Sequence, residues 1–576
     1  MHPPSVPAAR APRLVVALAV LLYVVLGLTT VREVGVVGEV AIGWMSGPPP
    51  AVLLDLPDHT TTEDGAANWP LLHASQTRPI ERLELGGAHL PLAINSYTGG
   101  LPDWPARLLH AATGSTWLVQ LLHLAMGAAL LASLARFTER FAGRSAAGAV
   151  ALVLATRWDF LFYRSVLGGT EVVLVGATLA ALWGLWARRW GTGRWGVVVL
   201  GLAIGAGLHA KLTFAVVALA IGLAALLSRW DRPQMGPPQP ARVGPTLVGL
   251  TLPLVPFVLA AVHQSTFPDH PRVRSHDHVA LQLDRVLGAL TGQQAPTRES
   301  LGNITAWLGD PLGFLGRAYS VADLPDPSWL WVGLGWSIAV LGAGLAWVHR
   351  HPTPRDALLR FASLFLLLGV AGLLVVARDL HHLATMSVVT ALVAGLAADQ
   401  LAGTRFPPRS RRRSAAAALL VLPWVWSGTT SLLATDDVVR QIETPTFRRA
   451  GQAALAAMLV EQSVERVWVC DYEAMGALEL GLRELNARTE VVHAWGAASR
   501  RADEDALRET FTADLLRAAS GDHLLTVKAS APMIYNLRTR GRHLAAAAQA
   551  AGVALEVVAS LPEEQATLYR VRPLVE

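Results

Sequence analysis

Cysteine is almost absent from this chain. Cys470 is the only one among 576 residues, which excludes an internal disulfide framework and any metal site built from several thiolates. Charge is scarce as well: Asp, Glu, Lys and Arg make up 16 % of the residues, against about 25 % in an average soluble domain. The polar C-terminal part carries neither a GxGxxG nor a P-loop pattern, so nothing there asks for a nucleotide. No Ser/His/Asp or Cys/His set can be identified from spacing. No internal repeat of the kind that marks many carriers stands out either.

What the chain has is apolar surface. Hydrophobic residues are 52 % of the total, and they come in blocks of roughly twenty, the length that crosses a hydrocarbon core. This predicts a polytopic α-helical membrane protein with about eleven spans, near residues 14–31, 116–135, 145–162, 170–187, 195–209, 212–228, 244–263, 328–348, 359–377, 383–402 and 414–433. The fifth and sixth are separated only by HAK and could form one broken helix. The net charge of +5 suggests a nucleic-acid partner at first sight, but the arginines fall in short segments between the apolar blocks. MHPPSVPAARAPR, RFTERFAGR, ARRWGTGRW, SRWDRPQMGPPQPAR, HRHPTPRDALLR and GTRFPPRSRRRS alternate with turns that are poor in Lys and Arg. That is a topology signal, not a nucleic-acid one. It predicts a protein of the cytoplasmic (inner) membrane with its N-terminus in the cytoplasm and its C-terminal part outside. The first span has no small-residue cleavage site and is expected to be an uncleaved anchor. Trp158, Trp183, Trp186, Trp190 and Trp195 lie near span ends and fit an interfacial aromatic belt.

Residues 1–435 are therefore expected to form the membrane domain, with long outer loops at 32–115 and 264–327. Residues 436–576 change composition. RVWVCDY, TEVVHAW, HLLTVKA, ALEVVAS and ATLYRVR read as strands, with ALELGLREL and DALRETFTADLLRAA as helices between them. The alternation argues for a small extracytoplasmic α/β domain.

Ionisable residues collect at the outer ends of the spans. Arg164 and Glu171 flank YRSVLGGTE, His209 and Lys211 form HAK, and Arg378, His381 and His382 belong to ARDLHH. Such residues are costly near lipid and usually have a task. Cations at one depth between helices would hold a lipid phosphate whose tail stays in the hydrocarbon. The local explanation is that Arg164 snorkels and the histidines end helices. Above this cluster the first loop carries TTTEDGAANW, with Glu63 and Asp64 adjacent and Asp55 and Asp58 upstream. These acids could sit in the first turn of a short capped helix, or supply a carboxylate for proton transfer.

The order of features resembles the GT-C superfamily of glycosyltransferases that use polyprenyl-phosphate sugars, especially bacterial relatives of the protein O-mannosyltransferases. Four stretches carry the likeness: LPLAINSYTGGLPDWPARLLHAATGSTWLVQLLHLAMGAALLASLARFTERFAGRSAAG, DFLFYRSVLGGTEVVLVGATLAALW, GLAIGAGLHAKLTF and ARDLHHLATMSVVTALVAG. In the first, the turn containing Tyr97 precedes juxtamembrane helices. In the second, Glu171 stands where the family has a carboxylate opening the fourth span. The third is a Gly-rich span ending in Lys211, and the fourth is a late span entered through basic residues.

The resemblance implies inverting transfer of a sugar from a polyprenyl-phosphate donor to an acceptor outside the membrane. Glu63 and Asp64, with Asp55 and Asp58 second, stand for the family's acidic first-loop motif, acting as catalytic base or metal partner. Here about thirty residues separate that motif from the first span, the order is Glu-Asp, and no aromatic follows. Lys211, Arg378, His381, His382 and Arg164 are the implied donor-phosphate ligands, with Glu171, His209 and Tyr97 in support. Membrane lipids are the other partners.

His276, Asp277 and His278 are ligand types that suit a divalent metal, Mg2+ or Mn2+. Adjacent residues cannot easily surround one ion, and a polar loop facing water explains them equally. No cofactor is required by the residues themselves. GNIT at Asn303 has the form of a glycosylation acceptor, and chance accounts for it. Two other classes of function fit the pattern: a carrier or flippase for a lipid-linked substrate, and a catalytically silent scaffold whose outer domain binds a partner.

Overall fold

The computed structural model describes residues 11–33, 82–86, 88–92, 99–166, 169–189, 195–228, 243–255, 258, 304–305, 307–312, 329–349, 353–376, 383–408, 410–441, 448–469, 472–493, 522–527, 540–562 and 566–574. Helix α1 (Ala11–Glu33) is followed by a hairpin of β1 (Arg82–Leu85) and β2 (Ala88–Pro91). A 3-10 turn at Leu101–Asp103 runs directly into α2 (Trp104–Thr113). The bundle continues with α3 (Thr116–Ala142), α4 (Arg144–Ala155), α5 (Trp158–Val166), α6 (Gly169–Arg189), α7 (Gly196–Ala210), α8 (Phe214–Leu227) and α9 (Val243–Thr251). It closes with α10 (Trp329–Val348), α11 (Pro354–Val376), α12 (Ser387–Gly403), α13 (Arg411–Leu420) and α14 (Leu422–Gln441).

The chain is a multi-pass membrane protein. Among the described residues, α1, α3, α6, α10, α11 and the Ala384–Gly403 stretch containing α12 are long and apolar enough to cross a bilayer. The pair α13–α14, bent by 48°, makes a seventh if it is one span. The other four expected spans coincide with the shorter apolar helices Arg144–Ala155, Gly196–Ala210, Phe214–Leu227 and Pro245–Leu254. Two of these end for visible reasons. Thr156 and Arg157 interrupt the run between α4 and α5, and Lys211 leaves α7 in an extended conformation, φ −161° and ψ 128°. Helices α7 and α8 then part, α7 packing on α6 and α9 while α8 packs on α11.

Helix α12 is the centre of the bundle, with 89 % of its apolar stretch buried. Close approach requires glycine there. A methyl group at Gly395 would lie 2.5 Å from the backbone nitrogen of Val150 in α4, and one at Gly342 in α10 would lie 2.5 Å from the Ala397 carbonyl. In lipid, where burial of apolar surface offers no net drive between helices, such small-residue contacts carry the packing.

At one end of α12 the buried Asp399 gathers three helices. It accepts from Arg413 of α13 at 2.9 Å (Nε to Oδ1) and 2.6 Å (Nη2 to Oδ2), and from Arg355 of α11 at 2.9 Å. Nearby, Arg360 donates to the Ala346 and His349 carbonyls at 2.8 and 2.7 Å, satisfying the open end of α10. Arginines that count as topology markers in the sequence are thus also structural bonds. The tryptophans depart further from expectation. Trp158 and Trp186 are buried, not interfacial: Trp158 donates to Thr435 at 2.8 Å, and Trp186 packs on Phe361 with ring centroids 5.0 Å apart. Trp183 meets Phe137 and Phe141, and Trp195 is exposed.

Beyond α14 come α15 (Arg449–Glu461), β3 (Arg466–Val469), α16 (Tyr472–Glu484), β4 (Glu490–His493), β5 (His523–Val527), α17 (Arg540–Ala550), β6 (Val553–Leu561) and β7 (Ala566–Pro573). All five expected strands join one sheet, ordered β4-β3-β5-β7-β6. Strand β3 is parallel to both β4 and β5, while β7 is antiparallel to β5 and β6. Period-two alternation splits the faces: Val467, Val469 and Leu525 pack with residues of α15 and α16, whereas Trp468 and Leu524 pack with Leu544 and Ala547 of α17. The first of these layers also takes in Ala106 of α2 and Val119 of α3. This joins the sheet to one end of the bundle, called the sheet end below.

Replacing Asp399 with Ala would leave two arginines at a buried site without their acceptor. The expected cost is about 3–5 kcal/mol, read as a large fall in the unfolding temperature of the detergent-solubilised protein.

Candidate active site

The site is built on the turn that leads into α2. Gly99 N–H donates to the His209 carbonyl at 2.8 Å, and Leu101 N–H donates to His209 Nε2 at 3.3 Å. The acceptor role of Nε2 fixes the neutral tautomer of this buried histidine, with its proton on Nδ1. A side chain at Gly99 would collide with the imidazole. The turn is therefore clamped on His209 at the end of α7, which half-buried Lys211 follows.

From this clamp the chain delivers Asp103 to the N-terminus of α6. A methyl group at Gly169 would stand 2.5 Å from Asp103 Oδ1, so only a bare backbone allows the approach. The positive end of a helix favours a carboxylate, and Glu171, also buried, lies in the same first turn. Arg107, one turn along α2 and wholly buried, offsets the charge of Asp103. Burial pushes the Asp103 carboxyl up to about 7, with Arg107 pulling against it and Glu171 adding to the rise. Burial also lowers Arg107 to about 10, against the pull of Asp103. His110, a further turn on, is held below its usual value by burial and by Arg483.

The sheet domain closes the other side. Glu484, at the end of α16, accepts from the Thr116 backbone N–H at 2.7 Å and from its hydroxyl at 2.5 Å, at the first turn of α3. Arg449 of α15 hydrogen-bonds Gln120 and lies 5.2 Å from the Trp117 ring centroid. Helix α2 is thus held at its start by His209, while the sheet domain holds the start of α3 just past its end.

The whole-chain architecture matches solved structures. The crystal structure of ArnT from Cupriavidus metallidurans bound to undecaprenyl phosphate superposes with a TM-score of 0.52, at 14 % identity over 96 % of this chain and 97 % of that one. This chain therefore has the fold of that ArnT. The apo form of the same ArnT (TM-score 0.45, 13 % identity, 97 % of each chain) and the apo oligosaccharyltransferase of Archaeoglobus fulgidus (0.44, 10 %, 90 % of this chain and 70 % of that one) also match. No protein-family model and no curated protein matches the sequence.

Of the residues expected from sequence, His209 holds the Gly99–Asp103 turn, Glu171 lies in the first α6 turn that Asp103 meets, and Lys211 follows His209 at the end of α7. Glu63, Asp64, Asp58, Asp55, Tyr97, Arg378, His381, His382, His276, Asp277 and His278 lie outside the described residues. Arg164 falls in α5, where only the backbone is described. Among the described residues no three His, Cys, Asp or Glu side chains meet as a metal would need. Sequence reasoning missed Asp103, Arg107 and His110. Their i, i+4, i+7 spacing along PDWPARLLH was the available signal, one polar stripe on a helix too short to span.

Asp103 holds its proton to about pH 7 in the fold but loses it near 4 when unfolded. Between those values the folded protein binds more protons, so the stability tied to this group is complete below about pH 4 and is lost as pH rises through 7. Asp103→Asn should flatten that part of the profile, on the order of 4 kcal/mol between the two limits. Unfolding temperatures of both proteins from pH 4 to 8 measure the difference.

Proposed function

We propose that this protein is a glycosyltransferase that moves a sugar from a polyprenyl-phosphate donor to an acceptor at the sheet end of the bundle. That end would face outside the cytoplasmic membrane, with the N-terminus in the cytoplasm. The observation that supports the reading is the Gly99–Asp103 turn, which joins the end of α7 at His209, two residues before Lys211, to the buried Asp103 at the start of α6.

Transfer breaks the bond from the anomeric carbon to the phosphate oxygen, whose electron pair stays with the phosphate. The acceptor oxygen forms the new bond and gives its proton to a base. Lys211 is half-buried and suited to the departing phosphate. Arg378, His381, His382 and Arg164 would complete the cationic set, with Glu63 or Asp64 as base and Asp55 and Asp58 as the second candidates. A single displacement of this kind inverts the anomeric centre. Asp103 and Arg107 are too enclosed to touch substrate, and they hold α2 in place. The undecaprenyl phosphate in the ArnT crystal supports the choice of lipid. A divalent metal is proposed, if at all, for the first-loop acids or for His276, Asp277 and His278.

Lys211→Ala removes one charge-assisted bond of about 1.5–3 kcal/mol, so transfer should fall roughly ten- to a hundredfold. The assay is sugar transfer from a polyprenyl-phosphate sugar by protein reconstituted in liposomes. An unchanged rate removes Lys211 from the site. Passage of the lipid-linked sugar across sealed vesicles with no transfer at all would favour a carrier instead.

A further inference from the structure

A second polar site lies at the Thr156–Arg157 break between α4 and α5. Arg157 and Asp159 are both more than nine-tenths buried and form a two-pronged pair, Nε to Oδ1 and Nη2 to Oδ2, each at 2.8 Å. Arg157 Nη2 also donates to the Trp307 carbonyl at 3.2 Å. Its Nη1 makes no hydrogen bond among the described residues. The guanidinium lies 5.7 and 5.9 Å from the ring centroids of Trp307 and Trp424. Both ions border a cleft whose remaining wall includes Trp331, in the first turn of α10, and Ser427 and Ser431 on α14.

Burying an ion pair inside a membrane bundle is costly unless something uses it. The chemistry of the wall narrows what that is. Arg157 and Asp159 cancel, so the cleft offers no net charge to a phosphate. An acyl chain would gain nothing from a guanidinium, a carboxylate and two hydroxyls. The hydroxyl-bearing edge of a neutral ring, entering the half-open cleft of about 40 Å³ from outside, matches these walls. Adjacent hydroxyls pair with a fixed donor and acceptor side by side, and the C–H faces of the ring lie against flat indoles.

Resting on the transferase reading, we propose that this cleft is a sugar-binding subsite for the glycan portion of the acceptor. Its placement suits that role. Helix α5 has nine residues, a rise of about 13 Å. It starts beside the cleft and leads through Val166 to Gly169 and Glu171 at the candidate active site. One extended acceptor could touch both ends.

The test uses the full-length protein in phospholipid nanodiscs free of glycoside detergents. Saturation-transfer NMR with the methyl glycosides of glucose, galactose, mannose, N-acetylglucosamine and N-acetylgalactosamine reads sugar binding, and retention of polyprenyl phosphate reads the donor site. At least one glycoside should bind. Ser431→Leu, which fills the cleft from a membrane helix, should abolish the signal, and Trp331→Ala should weaken it several-fold. Both variants should still retain polyprenyl phosphate. Absence of any glycoside signal, or a signal that survives Ser431→Leu, overturns the proposal while leaving the transferase reading intact. Glycoside binding without retained polyprenyl phosphate has the opposite consequence: the cleft stands as a sugar site and the transferase reading falls.

Discussion

Everything at the sheet end of the bundle depends on how the Gly99–Asp103 turn meets His209. Two backbone N–H groups of an irregular segment find acceptors on one buried residue, its carbonyl and its ring nitrogen. Irregular backbone near lipid is tolerated only when its polar groups are satisfied in this way. Because the contact is so close, it fixes where α2 begins. The start of α2 fixes where Asp103 and Arg107 lie against α6. A neutral His209 is essential to this arrangement, since a protonated ring would present a donor to the Leu101 N–H instead of an acceptor.

The same rule organises the rest of the molecule. Several buried charges are balanced by a partner: Asp399 by Arg355 and Arg413, Arg157 by Asp159, Asp103 by Arg107. The Asp399 pair ties the far ends of three helices, and the Asp103 pair supports the candidate active site. The Arg157 pair holds the break between α4 and α5, and it is the one that borders a cleft.

Much of the fold was legible in the sequence. The apolar runs are helical wherever they are described, with breaks inside 145–162 and 414–433, because composition and length suffice to keep a segment in lipid. The five strands were readable from their β-branched and alternating residues. What was not legible was interruption and partnership. Nothing in ALVLATRWDF announces that its helix ends at Ala155, since Thr and Arg are tolerable inside a helix and only the pull of Asp159 and Trp307 makes the break favourable. Trp186 looked interfacial by position along the chain, but position does not say which face of a helix meets Phe361. At the site, Glu171, His209 and Lys211 stood out because each sits at the edge of an apolar run. Asp103 and Arg107 were overlooked because they lie on a short amphipathic helix, where charged residues usually face water.

Glu484 gives the C-terminal sheet a meaning separate from recognition. Its carboxylate takes up the backbone N–H and the hydroxyl of Thr116 at the start of α3, a service most transmembrane helices obtain from their own chain. A protein shortened at the end of α14 would thus expose unsatisfied donors at the mouth of a membrane helix and loosen the neighbouring segment. The sheet is in effect a splint for the bundle, and whatever partner it also greets, it cannot be lent to another scaffold without unsettling the one it leaves.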